Sequence, residues 1–398
     1  MDSQTMMKLS EEYVAKTYGR FPVVLVRGRG TRVWDPEGEE YLDFVSGLAV
    51  CNLGHCHPKV VKAIQEQSEK LIHVSNFYYI EPQIQLASLL CKHSFADKVF
   101  FCNSGAEANE GAIKLARKYA KEKVGKDRYE IITMEQSFHG RTMATLTATG
   151  QQKFHKGFEP LVPGFKYVPF NDINSLKNAI DSKTCAVMLE PIQGEGGVNC
   201  PSEGYLESVR RICDEAALLL IYDEVQVGMG RTGKLFAYEH DGIEPDLLTL
   251  AKSLAGGVPI GALLIKKEVS EIFKPGDHAS TFGGNPLATA AAVAALTALL
   301  EEGMLENCQK MGDYFLSRLE EIKKKFSFVK EVRGKGLILG MELKIDGAPF
   351  VREMLKNKIL INCTMGNVLR FLPPLIVTQE EIDRVAQTLE DVFQNLKF

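Results

Sequence analysis

The chain has no uninterrupted apolar run long enough to span a bilayer, and its first ten residues lack the apolar core of a signal peptide. A cytoplasmic protein is expected. It also lacks a basic excess: 47 Lys and Arg against 51 Asp and Glu give a net charge of −4, which leaves no electrostatic footprint for nucleic acid. Small-molecule partners are expected instead, with neither nucleic acid nor membrane among them. No repeat of roughly 20–50 residues and no low-complexity tract occurs, which excludes solenoids and disordered tails. No Gly-x-Gly-x-x-Gly turn opens a helix after a strand, because the turn at 103–106 holds a single glycine; this argues against a dinucleotide-binding oxidoreductase. The nine cysteines are odd in number, and several, such as Cys102 and Cys185, sit inside apolar runs, so they read as reduced core residues rather than a disulfide framework. The segment Cys51-Asn-Leu-Gly-His55-Cys56-His57 carries metal-capable side chains but has no second ligand group at a zinc-like spacing. No metal is expected.

What is present is length and strand-end chemistry. With 398 residues the chain exceeds one ordinary core and has room for two domains and a buried site. Near the N-terminus, short β-rich runs at 23–26, 31–34 and 41–44, separated by Arg27-Gly-Arg-Gly30 and Asp35-Pro-Glu-Gly38, predict a small antiparallel, peripheral meander. Amphipathic helices are expected at 59–71 and 82–93. Candidate strands follow at 98–102, 130–133, 185–190, 218–222, 247–251 and 261–265, with helices at 106–121 and 205–217 among them. This is the pattern of an α/β protein with a mostly parallel sheet between helices. After Asn285-Pro286 come an alanine-rich helix, a second helix to about residue 326, and short strands at 328–333, 337–343, 359–361 and 368–371, a separate α+β unit.

The most informative stretch is Leu218-Leu-Leu-Ile-Tyr-Asp-Glu-Val-Gln226, followed by Leu248-Thr-Leu-Ala-Lys252. Two apolar runs ending in an acid and a lysine set a carboxylate and an amine at the carboxyl ends of buried parallel strands, where open α/β sheets bind ligands. An acid for a protonated pyridine nitrogen and a lysine for a Schiff base are what pyridoxal phosphate requires of its protein. Other loops converge there. Asn103-Ser-Gly-Ala-Glu-Ala-Asn109 reads as a helix start with free N–H groups from Gly105 and Ala106 for a phosphate, or as an ordinary capping turn with Ser104 as cap and Glu107 in the capping-box position. Gln136-Ser-Phe-His-Gly-Arg141 supplies Phe138 to stack on a ring and Arg141 to pair with a carboxylate. Glu190-Pro-Ile-Gln-Gly-Glu195 carries two carboxylates, or is a bland turn. Ser280 and Thr281 offer hydroxyls in a polar loop, and Arg370 ends a short strand, either to hold a carboxylate or in an exposed ion pair.

With Asn103–Asn109, Ser137-Phe-His-Gly-Arg-Thr142, Glu190–Glu195, Asp223-Glu-Val-Gln226, Lys252, Thr281-Phe-Gly-Gly-Asn-Pro286 and Leu369-Arg-Phe371 in this order, the chain resembles the class III aminotransferases of pyridoxal-phosphate fold type I. It is most similar to those acting on N-acetylornithine. The resemblance covers nearly the whole chain. It implies a large domain with a mostly parallel seven-stranded sheet between helices and a smaller α+β domain built from the C-terminus and the N-terminal segment. The boundaries expected are 1–57 packing with the small domain, 58–286 for the cofactor-binding domain and 287–398 for the small domain. It further implies that Lys252 attaches pyridoxal 5′-phosphate and moves the proton, and that Asp223 keeps the pyridine nitrogen protonated. Gln226 contacts the phenolic oxygen within the Asp223-Glu224-Val225-Gln226 cofactor segment, Phe138 covers a ring face, and Gly105 with Ala106 binds the phosphate. Thr281 reaches the neighbouring subunit's phosphate in a homodimer with shared sites. Arg370 holds the α-carboxylate of glutamate or 2-oxoglutarate, Arg141 with Ser280 takes acetylornithine, and Glu195 is a gate that pairs with Arg370. The implied activity is transamination of N2-acetyl-L-ornithine with 2-oxoglutarate in arginine biosynthesis.

Ornithine, succinylornithine and 4-aminobutyrate aminotransferases share these motifs and form the alternative. Ornithine enzymes of the family carry a tyrosine for the free α-amino group in the strand before the Gly-His motif, and counting back from Gly54-His55 puts Leu48 at that place; an apolar side chain there favours the acylated substrate. Two departures from the family pattern, Ser253-Leu-Ala255 after the lysine and Ala106 in place of a hydroxyl residue, are expected to have little effect. A non-catalytic relative is expected to lack Lys252 or Asp223, and both are present. A 1,2-aminomutase or a dialkylglycine decarboxylase would differ by its product.

Overall fold

The computed structural model describes residues 1–396, so the last two residues of the expected small domain lie outside the described residues. Seven strands form the main sheet: β4 (Lys98–Cys102), β5 (Glu130–Met134), β6 (Phe165–Val168), β7 (Thr184–Leu189), β8 (Leu219–Asp223), β9 (Leu247–Leu250) and β10 (Gly261–Ile265), after β1 (Arg27–Arg29), β2 (Arg32–Trp34) and β3 (Glu40–Asp43) near the N-terminus. Their spatial order is β4-β10-β9-β8-β7-β5-β6. Only β10 runs against the others, pairing antiparallel with β4 and β9. Strands β7, β8, β9 and β10 are buried at every position, which explains why they read as continuous apolar runs: helices cover both faces, and alternation has nothing to mark.

In the main sheet the strand expectations hold to within one residue at each end, with one omission. Strand β6 was not among them. It is an edge strand paired only with β5, and its Phe-Lys-Tyr-Val sequence is fully buried only at Val168. Half-exposed edges carry little of the signal that identifies central strands. The N-terminal meander forms, but its first strand is Arg27–Arg29 rather than 23–26. Gly30, at φ +60, makes the turn, and Val26 continues the ladder by donating to Trp34 O at 2.9 Å.

The C-terminal part contains β11 (Val329–Lys335), β12 (Ile338–Leu343), β13 (Ile359–Leu360), β14 (Asn362–Thr364) and β15 (Val368–Phe371). An antiparallel sheet in the order β11-β12-β15-β14 packs beneath the helix Met304–Lys325, against which the helix Gln379–Asn395 lies. The strand expected at 359–361 divides. Residues Ile359 and Leu360 pair in parallel with β3, joining the N-terminal segment to this half, and after Ile361 the chain crosses to the other sheet as β14. No single helix among the described residues is long and apolar enough to cross a membrane. The bent pair Pro286–Glu301 and Met304–Lys325 matches by length and composition at 64°, and its Leu296, Leu299, Phe315 and Leu319 belong to the protein core. In the cysteine- and histidine-bearing segment, His55 pairs with Asp43 at 2.7 Å and His57 with Glu302 at 3.1 Å, so the two imidazoles turn to different carboxylates.

Candidate active site

The carboxyl ends of β4, β5, β7, β8 and β9 open on one cavity of about 440 Å³. Asp223, the last residue of β8, is 3% exposed. Its Oδ2 accepts from Asn109 Nδ2 at 2.7 Å and lies 2.8 Å from His139 Nδ1, while Oδ1 accepts from the Val225 N–H at 3.0 Å. An ionised carboxylate offers about four lone-pair directions, so one remains for a donor in the cavity. The acid cannot easily turn away. Asn109, which holds it, also donates to His139 O at 2.7 Å and accepts from Thr249 Oγ1 at 2.7 Å.

Lys252 follows β9 at φ +40, a left-handed conformation that costs a non-glycine residue about 1–3 kcal/mol and persists only where the surroundings enforce it. Burial, and next the nearby Arg370 charge, push its amine down to about 8, although Glu195, Asp223 and Glu190 pull the other way. About a tenth of such amines are neutral at pH 7, against well under a thousandth for an ordinary lysine. Lys252 is thereby suited to act as nucleophile and proton carrier. Glu190 ties two of the loops together, accepting from the N–H groups of Phe138 at 2.9 Å and Gly194 at 3.1 Å. Burial raises it to about 7; His139 opposes that shift and Asp223 adds to it.

At the start of the helix Gly105–Lys123, Ser104 Oγ accepts from the Glu107 N–H at 3.2 Å. The Glu107 carboxylate accepts from the Asn103 N–H at 2.5 Å, one residue earlier than a capping box requires. The N–H groups of Gly105 and Ala106, first in the helix, have no intrahelical acceptor, and both residues line the cavity at the helix's positive end. A Cβ on Gly105 would stand 2.7 Å from Val225 Cγ1, so the backbone approaches the cavity wall only because residue 105 is glycine. Gly105→Ala is expected to displace Val225 and weaken cofactor affinity about tenfold, read by equilibrium loading of the apoprotein; unchanged affinity would remove this turn from the binding site.

On the opposite side Arg370, from β15, is fully buried. Its Nη1 lies 2.8 Å from Glu195 Oε2 and 3.2 Å from Gln226 Oε1, Nε lies 3.3 Å from Asn362 Oδ1, and Nη2 has no partner among the described residues. Burial alone would raise the Glu195 carboxyl, but the Arg370 charge and hydrogen bond, helped by Lys252 and Lys153, hold it below the usual range. Arg141 is exposed at the cavity wall, its guanidinium 4.0 Å from the Phe154 ring centroid and 5.4 Å from that of Phe138.

Of the residues singled out from sequence, Gly105, Ala106, Phe138, Arg141, Glu195, Asp223, Val225, Gln226 and Lys252 line this one cavity, and Arg370 touches two of them. Four others do not line it. Glu224 turns away, its carboxylate accepting from the N–H groups of Ala237 at 2.6 Å and Tyr238 at 2.8 Å. Ser280 Oγ accepts from Asn103 Nδ2 at 3.1 Å and the Gly283 N–H at 3.0 Å, and Thr281 is exposed on the same loop. Leu48 is not in a strand: it lies at φ +67 in a left-handed bend, 42% exposed, and Val50 is the residue of this bend that lines the cavity. Sequence reasoning gave no role to Asn109, His139 or Glu190, although all three stand inside the motifs.

The set fits pyridoxal phosphate on its own chemistry. A spare lone pair on a fixed carboxylate suits a ring N–H, a depressed amine suits an aldehyde, and two free helix-end N–H groups suit a phosphate.

Residues 13–393 match the family model Aminotransferase class-III. Among curated relatives, an acetylornithine aminotransferase of Caldanaerobacter subterraneus subsp. tengcongensis is 58% identical over 394 residues, covering 99% of this chain and 100% of the relative. One from Methanocaldococcus jannaschii is 54% identical over 397 residues, covering 100% of both. Among solved structures, the ornithine aminotransferase of Toxoplasma gondii ME49 superposes with a TM-score of 0.96 at 37% identity, over 99% of this chain and 95% of that one. The acetylornithine aminotransferase of Elizabethkingia anophelis gives 0.90 at 36%, over 100% of both. Such likeness over whole chains, with the strand-end acid and lysine meeting in one cavity, establishes that this chain belongs to the class III aminotransferases.

Proposed function

We propose that the chain transfers the distal amino group of N2-acetyl-L-ornithine to 2-oxoglutarate, yielding N-acetyl-L-glutamate 5-semialdehyde and L-glutamate, a step of arginine biosynthesis. The curated relatives at 49–58% identity over nearly the whole chain are acetylornithine aminotransferases. The observation that carries the reading is the buried Arg370 guanidinium, paired with Glu195 at 2.8 Å yet retaining an unpartnered Nη2. It is a carboxylate receptor already covered by an internal carboxylate.

Pyridoxal phosphate, when bound, supplies the electron sink and carries the amino group between the two substrates. The protein does the rest. Asp223 would hold the proton on the ring nitrogen, Phe138 would cover a ring face, and Gln226 would meet the phenolic oxygen. Lys252 would hold the cofactor by its amine and, once freed, would carry the proton between the substrate carbon that bears the reacting amine and the cofactor. Acetylornithine enters with its carboxylate on Arg141 while Glu195 keeps Arg370 occupied. For 2-oxoglutarate, Glu195 swings aside and Arg370 takes the α-carboxylate by two hydrogen bonds. Amino group and carbonyl oxygen exchange between the substrates, and nothing else is consumed.

In this reading residues 58–286 form the cofactor-binding domain, and 1–57 pack with 287–398. We also propose a homodimer. Ile72, Phe77, Tyr79 and Phe282 are 55%, 94%, 97% and 59% exposed, and Asn76 bonds the Ser280 and Gly283 carbonyls at 3.1 and 2.9 Å, so they form one apolar surface beside Thr281. Thr281 would then serve the neighbour's phosphate.

The test is a visible-absorption titration of the purified, cofactor-loaded protein with acetylornithine and no oxo acid. Loss of the bound-cofactor band, restored by 2-oxoglutarate, in a sample that sediments as a dimer, is expected. A band that ignores acetylornithine but bleaches with ornithine or 4-aminobutyrate would move the activity to a sister enzyme; a monomer with full activity would remove Thr281 from the site.

A further inference from the structure

Glu195 stands in a loop closed at its base, where Gln193 and Asn199 exchange backbone hydrogen bonds of 3.0 Å each. The loop's entrance is tied to the main-sheet side: the Gly194 N–H donates to Glu190 Oε2 at 3.1 Å, and Gln193 Nε2 donates to the Glu135 carbonyl at 2.8 Å. Its exit is tied to the other sheet. Arg333, on β11, donates from Nε to the carbonyls of Gly197 and Val198 at 3.1 Å each and from Nη2 to Gly197 O at 2.7 Å. Thr364 Oγ1, on β14, donates to the carbonyl of Glu195 itself. Arg333 is oriented in turn by Glu331 at 2.7 Å and Glu342 at 2.6 Å.

This backbone would not keep its shape unaided. Gly197 and Val198 lie at φ +112 and +55, and a β-branched residue adopts the left-handed region only when neighbours hold it there. The holders share a sheet with Arg370: β15 lies between β12 and β14, and Arg370 is in register with Gly340 on one side and Asn362 on the other.

We propose that Arg333 and Thr364 are positioning residues for substrate selection, fixing the main chain of 195–198 to the sheet that carries Arg370. Glu195 and Arg370 then move as one body, and the gate opens by rotation of the Glu195 side chain alone. The proposal rests on the gating reading above. A loosened loop spreads the Glu195 carboxylate over many positions and leaves Arg370 uncovered for longer. Acetylornithine then docks by its α-carboxylate on Arg370, bringing its acylated, unreactive amine to the reacting carbon. For 2-oxoglutarate an uncovered Arg370 is the required state, so the defect falls on one half-reaction only.

Single-turnover rates of the two half-reactions, measured separately on loaded Arg333→Gln and Thr364→Val enzymes, test this together with hydrogen–deuterium exchange of the 193–199 amides. Arg333→Gln is expected to slow the acetylornithine half-reaction about tenfold, with 2-oxoglutarate changed by less than about twofold and faster exchange confined to the loop. Thr364→Val is expected to act in the same direction and less strongly, and Arg333→Lys, which keeps charge and one donor, to recover part of the loss. Equal loss in both half-reactions, or loop exchange unchanged in both variants, overturns the proposal. An unaltered enzyme that ignores acetylornithine would sink the functional reading and the gating role with it, while the exchange result still decides whether Arg333 anchors the loop.

Discussion

Replacing Lys252 with alanine is expected to lower kcat by about 10⁴-fold or more, because in the proposed function one amine would both hold the cofactor and move the proton. Both half-reactions should suffer alike, since the same proton transfer runs forward in one and backward in the other. The fold should not suffer. The amine is held down to about 8 chiefly by burial and secondly by Arg370, so its removal relieves a charge that the site tolerates poorly. Thermal unfolding of Lys252→Ala should therefore stay within a few degrees of the parent, about 1 kcal/mol. Methylamine added to the variant should recover part of the activity, more at pH 9 than at pH 7, because only the free base can act. An active Lys252→Ala enzyme, or a loss confined to one half-reaction, would place the proton carrier elsewhere.

How much of this site could be read in the sequence depended on how local each feature is. The runs ending at Asp223 and Lys252 were legible because strands buried on both faces leave continuous apolar stretches, and ligand loops begin where those stretches stop. Edge strand β6, half-exposed with Lys166 and Tyr167 in its middle, left no comparable trace. Side-chain direction was less legible than position. Glu224 adjoins Asp223, but successive residues diverge, and its carboxylate meets the N–H groups of Ala237 and Tyr238. Leu48 was counted into a strand because nothing local announces a run of left-handed residues at Ser46, Leu48 and Ala49 that are not glycine. The contacts that fix the acid and the gate were invisible for another reason. Asn109 reaches Asp223 across 114 residues, and Arg333 reaches the Gly197 carbonyl across 136. Only the assembled sheets bring such pairs together.

The Asn109 contact determines what to expect of Asp223→Asn. Every neighbour whose role is fixed is a donor: Asn109 Nδ2 faces Oδ2, the Val225 N–H faces Oδ1, and a protonated ring nitrogen would take the remaining lone pair. An amide cannot meet all of them. With its nitrogen at the Oδ2 position it opposes Asn109 and requires His139 Nδ1 to become an acceptor; with its nitrogen at Oδ1 it opposes Val225 and the cofactor. Either placement costs about 1–3 kcal/mol of stability in a site this buried. Catalysis should lose more. Without a full negative charge beside it the ring nitrogen would give up its proton, and the electron sink that both half-reactions would share would be lost with it. A fall in kcat of about 10³-fold is expected, with KM for both substrates nearly unchanged, because neither Arg370 nor Arg141 bonds to Asp223. The parallel loss in both directions separates this acid from the gate residues, whose defects are one-sided. Retention of more than about a tenth of kcat would mean that a neutral ring suffices and that Asp223 serves to hold His139 and Asn109 in place. A rise in KM without a fall in kcat would instead make it a binding residue.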